Sequence, residues 1–231
     1  MIFDSRCAGC GTSGPVLCRT CRFVLAAPPA MPTSSEVIAA LPFVGRPRQV
    51  VLGFKYGNRR QLAHHLAGLL VNRLLAAGVR PGDIDVVTWA PTSSARRRRR
   101  GFDQAELVAE RVAVQLGVPC RRLLEREGPD SPQTGRGRAA RLHGPVFRAS
   151  PRSANRRVLV VDDVVTTGAT LRSADSALCR AGARRVIRSA VATTPATVVR
   201  RDDRPLRTGR TGRLSVSGRR VAASFPASRA A

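Results

Sequence analysis

A chain of 231 residues has room for one full domain and a small appendage, but not for two large domains. Hydrophobic residues make up 43% of it and aromatics only 4%, so its core has to be built from Val, Leu and Ala, a palette that suits a parallel sheet covered by helices. The formal net charge of +25 and the pI of about 11.8 exclude an acidic surface and predict attraction to phosphates, whether in nucleic acid or in small substrates.

Almost all of the positive charge is arginine, since Lys55 is the only lysine. So uniform a usage fits a coding bias as well as a function, and the charge alone chooses no partner. No window approaches the roughly 20 apolar residues of a membrane span, and the opening MIFDSRCAGC lacks the basic-then-apolar order of a signal peptide. These features predict a cytoplasmic protein, in which cysteines serve as thiols or metal ligands rather than as disulfides.

Cys7, Cys10, Cys18 and Cys21 form two Cys-x2-Cys pairs separated by the turn-rich GTSGPVL. Two such knuckles give four thiolates around one Zn2+ with no position open for water, the arrangement of a structural site. The alternatives are a decayed site or redox-active thiols. Residues 1–25 are therefore read as a zinc ribbon, while Cys120 and Cys179 stand alone and read as ordinary buried or neutral residues. The proline-rich AAPPAMPTSS, residues 26–35, reads as a linker.

From residue 36 to 200 a strand and helix rhythm is predicted. VVLGFKYG is the first apolar run, RQLAHHLAGLLVNRLLAAG a helix, DIDVVTWAP (83–91) a strand and FDQAELVAERVAVQLG a second helix. RRVLVVDDV is then a strand, followed by a helix from near Thr170 to AGA (181–183) and a last strand in RRVIRSAVATT. The expected class is α/β with a parallel sheet. Residues 201–231, rich in Arg, Ser, Gly and Ala, read as a basic, disordered tail.

The stretch VLVVDDVVTTGATL, Val158 to Leu171, carries the chemistry. Its apolar strand delivers Asp162 and Asp163 to the carboxyl end of a sheet, where ligands of open α/β folds bind. The turn Thr166, Thr167, Gly168, Ala169 and Thr170 offers converging backbone N–H groups, hydroxyls and the positive end of a helix dipole to one phosphate. It is not a P-loop, which would end in Gly-Lys-Ser or Gly-Lys-Thr. The run Arg96 to Arg100, read as a loop after the strand DVVTWAP, is either a second anion contact at the same sheet end or a solvated nucleic-acid patch.

This stretch resembles the phosphoribosyl pyrophosphate signature of type I phosphoribosyltransferases, nearly in full from Val158 to Thr170. The resemblance implies that Asp162 and Asp163 hold the ribose hydroxyls, directly or through Mg2+, and that Thr166 to Thr170 grip the 5'-phosphate. Arg99, Arg100 and Lys55 are the candidates for the leaving pyrophosphate. Over nearly all of residues 1–200 the order of features is similar to the ComF family. The match is carried by the four cysteines, LGFKYGNRRQLAHHLA, RRGFDQAELVA, PQTGRGRAARLHGPVF and VLVVDDVVTTGAT. The chain departs from that family at Asp103 and His143, where Asn is usual, and in TWAP before the basic run.

Two functions follow from the resemblance. One is transfer of ribose 5-phosphate from phosphoribosyl pyrophosphate to an unidentified acceptor. The other is a non-catalytic adaptor of DNA uptake that binds single-stranded DNA or a competence helicase, and the two are compatible. The shortage of aromatics counts against a base-stacking platform.

Overall fold

The computed structural model describes residues 6–27, 36–127 and 144–195. The tail reading for 201–231, most of the linker reading and His143 fall outside these residues. In chain order the elements are α1 (Arg19–Ala26), β1 (Ile38–Pro42), α2 (Gly45–Tyr56), α3 (Leu62–Ala76), β2 (Val86–Trp89), α4 (Ser94–Arg100) and α5 (Gln104–Leu116). There follow β3 (Leu124–Glu127), β4 (Val146–Ala149), β5 (Arg157–Val165), α6 (Ala169–Arg180) and β6 (Arg185–Thr193).

Four strands form one parallel sheet in the order β1-β6-β5-β2, and β3 pairs with β4 as a separate antiparallel hairpin. The register is long between β5 and β6, from Arg157 opposite Arg185 to Val165 opposite Thr193. Beyond β2 the sheet gains a short edge, where the Val87 N–H donates to the Pro119 carbonyl (2.9 Å) and the Arg121 N–H to the Val87 carbonyl (2.9 Å).

Side chains of β5 alternate between two cores, as the pleat requires. Leu159 and Val161 pack with α3 and α5. Val158 and Val160 pack with α6 and the β3-β4 hairpin. Both faces are thus covered, which is why the strand reads as an unbroken apolar run. In α3, Leu62, Leu66, Leu70 and Leu74 recur every four residues and are all fully buried. Asp103 caps α5 by accepting from the Ala105 N–H at 3.0 Å, and Gly117 closes that helix in the left-handed conformation.

Two sequence expectations are corrected. VVLGFKYG is not a strand but the second half of α2, because Val50, Val51 and Phe54 recur at helical spacing and bury one face. The first strand is the preceding Ile38–Pro42. The arginine run is not a loop either. Ser93 accepts from the Arg96 N–H at 3.4 Å to start α4, and Gly101 ends it with a positive φ of 75°. Cys179, for its part, lies on the surface.

The cysteine-bearing segment shares the body's core. Cys7, Leu17, Cys21 and Leu25 belong to the same buried cluster as Val50, Phe54 and Leu66. A Cβ added at Gly53 would stand 3.2 Å from the Ala8 Cβ, so this segment lies directly on α2.

Phe54 is fully buried on α2, with its ring centroid 5.9 Å from that of Phe102. Phe54→Ala is expected to cost about 3–5 kcal/mol of unfolding free energy, measured by denaturant titration. A change within experimental error would mean that α2 is not anchored through this ring.

Candidate functional site

The chain leaves β2 and β5 in opposite directions: α5 carries it from β2 outward to the edge at Cys120, whereas α6 carries it from β5 to β6. A crevice opens at such a switch point, beyond the carboxyl ends of the strands. Here it has a volume of about 180 Å3, and its walls include Lys55, Thr92, Arg96, Arg100, Asp103, Asp162, Asp163 and Thr170. A larger cavity of about 340 Å3, lined by Leu17, Arg22, His64 and His65 among others, contains none of the residues singled out from the sequence.

Asp162 and Asp163 lie within β5 rather than after it, since the strand continues to Val165. Lys55 reaches from α2 to place its Nζ 2.9 Å from an Asp163 carboxylate oxygen, with both side chains largely buried. Burial, and then the negative charge of Asp163, push the Asp162 carboxyl up to about 8 against the pull of the Asp163 N–H and Lys55. Asp103 is a third acid on the wall and is only 4% exposed. It accepts from the Thr92 N–H at 2.8 Å as well as from Ala105, tying the segment after β2 to the start of α5. Burial raises its pKa in spite of these N–H groups.

Two arginines of α4 face the acids. Arg96 and Arg100 are four residues apart, so one helix face presents both to the crevice. Arg100 packs over the Tyr56 ring (5.0 Å to its centroid) and donates to the Tyr56 hydroxyl at 3.3 Å and to Gln104 Oε1 at 2.9 Å. Among the described residues its Nε is buried without a hydrogen-bond partner. Of the sequence-stated cations, Lys55 and Arg100 line the crevice, whereas Arg99 is exposed and is not among its walls. Arg96 enters the sequence reading only as part of the arginine run, and Asp103 and Gln104 are not among its site residues. The helical spacing of the arginine run and the cap-like GFDQ start of α5 were the signals for them.

From β5 the chain passes directly into Thr166, Thr167 and Gly168, and α6 starts at Ala169. Gly168 adopts φ 75° at the N-cap, and a Cβ there would meet an Arg172 nitrogen at 2.8 Å. Glycine therefore satisfies both the turn and the close approach. Arg172 Nη1 donates to the Thr167 carbonyl at 2.8 Å, fixing the turn. The first N–H groups of α6 lack helical partners by construction, which suits a phosphate. Ala169 and Thr170 are thus first-turn residues, and of the five only Thr170 also lines the crevice.

The four cysteine sulfurs all lie within 4.8 Å of one another, and Cys10 and Cys18 are 3.7 Å apart. Four sulfurs on a tetrahedral Zn2+ at about 2.3 Å stand about 3.8 Å apart, so the set fits that ion. The N–H groups of Gly9 and Cys18 point at Cys7 Sγ at 3.4 and 3.3 Å, and that of Cys21 points at Cys18 Sγ at 3.4 Å. Burial opposes ionisation of Cys7, but its N–H partners outweigh burial and hold it down at about 6. Such N–H donors favour thiolates, the form that binds metal.

Residues 99–211 match the family described as the phosphoribosyl transferase domain. The fold is accordingly the parallel-sheet α/β fold of type I phosphoribosyltransferases, with a small four-cysteine cluster at its N-terminal end. Among solved structures, the allosteric regulatory enzyme of purine biosynthesis is 21% identical at a TM-score of 0.41, over 61% of this chain and 30% of that one. Purine phosphoribosyltransferase from Pyrococcus horikoshii is 19% identical at 0.39, over 58% and 75%. Glutamine phosphoribosylpyrophosphate amidotransferase from B. subtilis, complexed with ADP and GMP, is 22% identical at 0.40, over 61% and 30%. The chain thus spans about a third of the length of two of these proteins. No curated protein matches it. Among the described residues no helix is long and apolar enough to cross a membrane.

Because the Asp162 pKa is higher folded than unfolded, its neutral form supports the fold, and that support is lost as pH rises from about 4 through about 8. Thermal unfolding followed across this range should show a decline that is shallower in Asp162→Asn. An unchanged slope would mean that Asp162 ionises normally.

Proposed function

We propose that the chain binds phosphoribosyl pyrophosphate together with Mg2+ in this crevice and transfers ribose 5-phosphate to an acceptor, releasing pyrophosphate. One observation carries the reading. Asp162 and Asp163 share the crevice with Lys55, Arg96 and Arg100, and the strand that bears the acids runs straight into the Thr166 to Thr170 turn. A ligand with a phosphate at one end, a diol in the middle and a diphosphate at the other matches that series of turn, acids and cations. Within the phosphoribosyltransferases the resemblance to ComF is the finer assignment, supported by the four cysteines and the RRGFDQAELVA block.

In the reaction, the bond from the anomeric carbon to the pyrophosphate oxygen breaks with its electron pair leaving on pyrophosphate. The acceptor's nucleophile forms the new bond to that carbon. Positive charge grows on the ribose ring meanwhile, and the Asp163 carboxylate, joined by Asp162 once Mg2+ or that growing charge displaces its proton, opposes it at short range in a site partly closed to water. Arg100 offers its guanidinium charge to the departing oxygens, and Arg96 adds a second guanidinium. Lys55, held on Asp163 before the ligand arrives, gains a diphosphate as an alternative anion. When bound, Mg2+ would sit on carboxylate oxygens of Asp162 and Asp163 and lower the repulsion between the acids and the phosphates.

Calorimetric titration with phosphoribosyl pyrophosphate is expected to give one saturable site whose affinity rises with Mg2+. The Asp162→Asn, Asp163→Asn double variant should weaken it by about a hundredfold, the loss of two charge-assisted contacts. Absence of binding by the folded parent chain would overturn the reading.

We propose in addition that Cys7, Cys10, Cys18 and Cys21 hold one structural Zn2+, because four sulfurs within 4.8 Å of one another supply a complete tetrahedral set. Elemental analysis of the purified chain should find one equivalent, lost in Cys18→Ser together with several degrees of melting temperature, since the cluster is part of the core. Full zinc content in Cys18→Ser would remove that cysteine from the ligand set.

A further inference from the structure

We infer that Gln104 is the positioning residue for both cations that face the diphosphate end of the crevice. It is the first residue of α5 and is 1% exposed, a large polar side chain placed where burial needs a reason. Its Oε1 accepts from Arg100 Nη1 at 2.9 Å, and its Nε2 donates to the Lys55 carbonyl at 3.3 Å. One amide therefore ties α5 to the last residue of α4 and to the end of α2, the two elements that supply Arg100 and Lys55. An amide does both tasks, since its oxygen accepts from the guanidinium while its nitrogen donates to the carbonyl.

The surroundings need this tie. Five adjacent arginines repel one another, and Arg97 is drawn outward to Glu106 at 3.4 Å. Arg100 is held inward by Gln104 on one side and by Tyr56, the residue after Lys55, on the other. With the Gln104 amide removed, Arg100 keeps, of its polar and ring contacts among the described residues, those with Tyr56, and the Lys55 carbonyl loses its side-chain donor. The residue preceding Gln104, Asp103, meanwhile holds Thr92, so the start of α5 organises the crevice wall from two consecutive positions. This inference rests on the reading that the crevice takes a diphosphate, and it specifies how the cations for that group are aimed.

Gln104→Met keeps the length and removes both polar ends. The test uses two readouts, calorimetry with inorganic pyrophosphate and with ribose 5-phosphate, and the acylation rate of Lys55 measured by peptide mass spectrometry without any ligand. Because Lys55 is the only lysine, the labelled peptide is unambiguous. The expected result is a pyrophosphate affinity about tenfold lower, with ribose 5-phosphate changed less than about twofold, and a Lys55 rate about threefold higher. In an Arg100→Met background the pyrophosphate effect should largely vanish, because the two residues act through one contact.

Equal weakening of both ligands, or parental values for pyrophosphate and labelling, would overturn the inference. Should the parent chain bind no pyrophosphate, the proposed function fails on its own and the labelling rate alone decides the role of Gln104. Where Gln104→Met loses cooperative unfolding, Gln104→Glu takes its place. Its carboxylate has no N–H for the Lys55 carbonyl, so labelling must rise, and a parental rate overturns the inference.

Discussion

Two adjacent carboxylates near the end of an apolar strand make a demand that the surrounding elements answer. A strand covered on both faces has little water at hand, so negative charge placed there must be paired, protonated or given to a ligand. Asp163 takes the first course with Lys55 and Asp162 the second, held neutral by burial beside its neighbour. The end of α2, the arginine face of α4 and the capped start of α5 all converge on this point. The site is therefore arranged around charge that the fold tolerates and that a cationic or magnesium-bearing ligand would relieve.

The way the cations are held follows the same logic. Lys55 and Arg100 come from elements far apart in sequence, and each is constrained by polar contacts beside the acids. Arg100 has aromatic surface beneath it and an amide at its tip, which limits its freedom before any ligand binds. Restraint of this kind reduces the entropy lost on association. The cysteine cluster contributes at one remove, since it packs on α2 and its residues share the core of that helix.

Much of the fold was legible in the sequence where the pattern was long. The leucine repeat of α3, the apolar run of β5 and the turn into α6 could each be read from spacing alone, because each has one dominant environment. VVLGFKYG misled because four apolar residues in five carry no period, and only the packing of Val50, Val51 and Phe54 on one face shows a helix. Asp162, Asp163 and the turn that follows are contiguous and stood out. Arg96, Asp103 and Gln104 join the crevice through tertiary contacts, so the spacing of the arginine run and the GFDQ cap mark their helices but not the cavity they line. The β3-β4 hairpin was missed because its strands are four residues each and 18 residues separate them.

The arginine run has a further consequence for how this segment can vary. Since it is helical, its five residues amount to two that face the crevice, Arg96 and Arg100, and three that hold them one turn apart. Substituting the exposed Arg99 leaves that spacing intact. Deleting any one of the intervening residues would rotate the last arginine by about 100° around the helix axis, away from Tyr56 and Gln104. The run is thus more tolerant of changes in composition than of changes in length, and an alignment gap there would mean more than a mismatch.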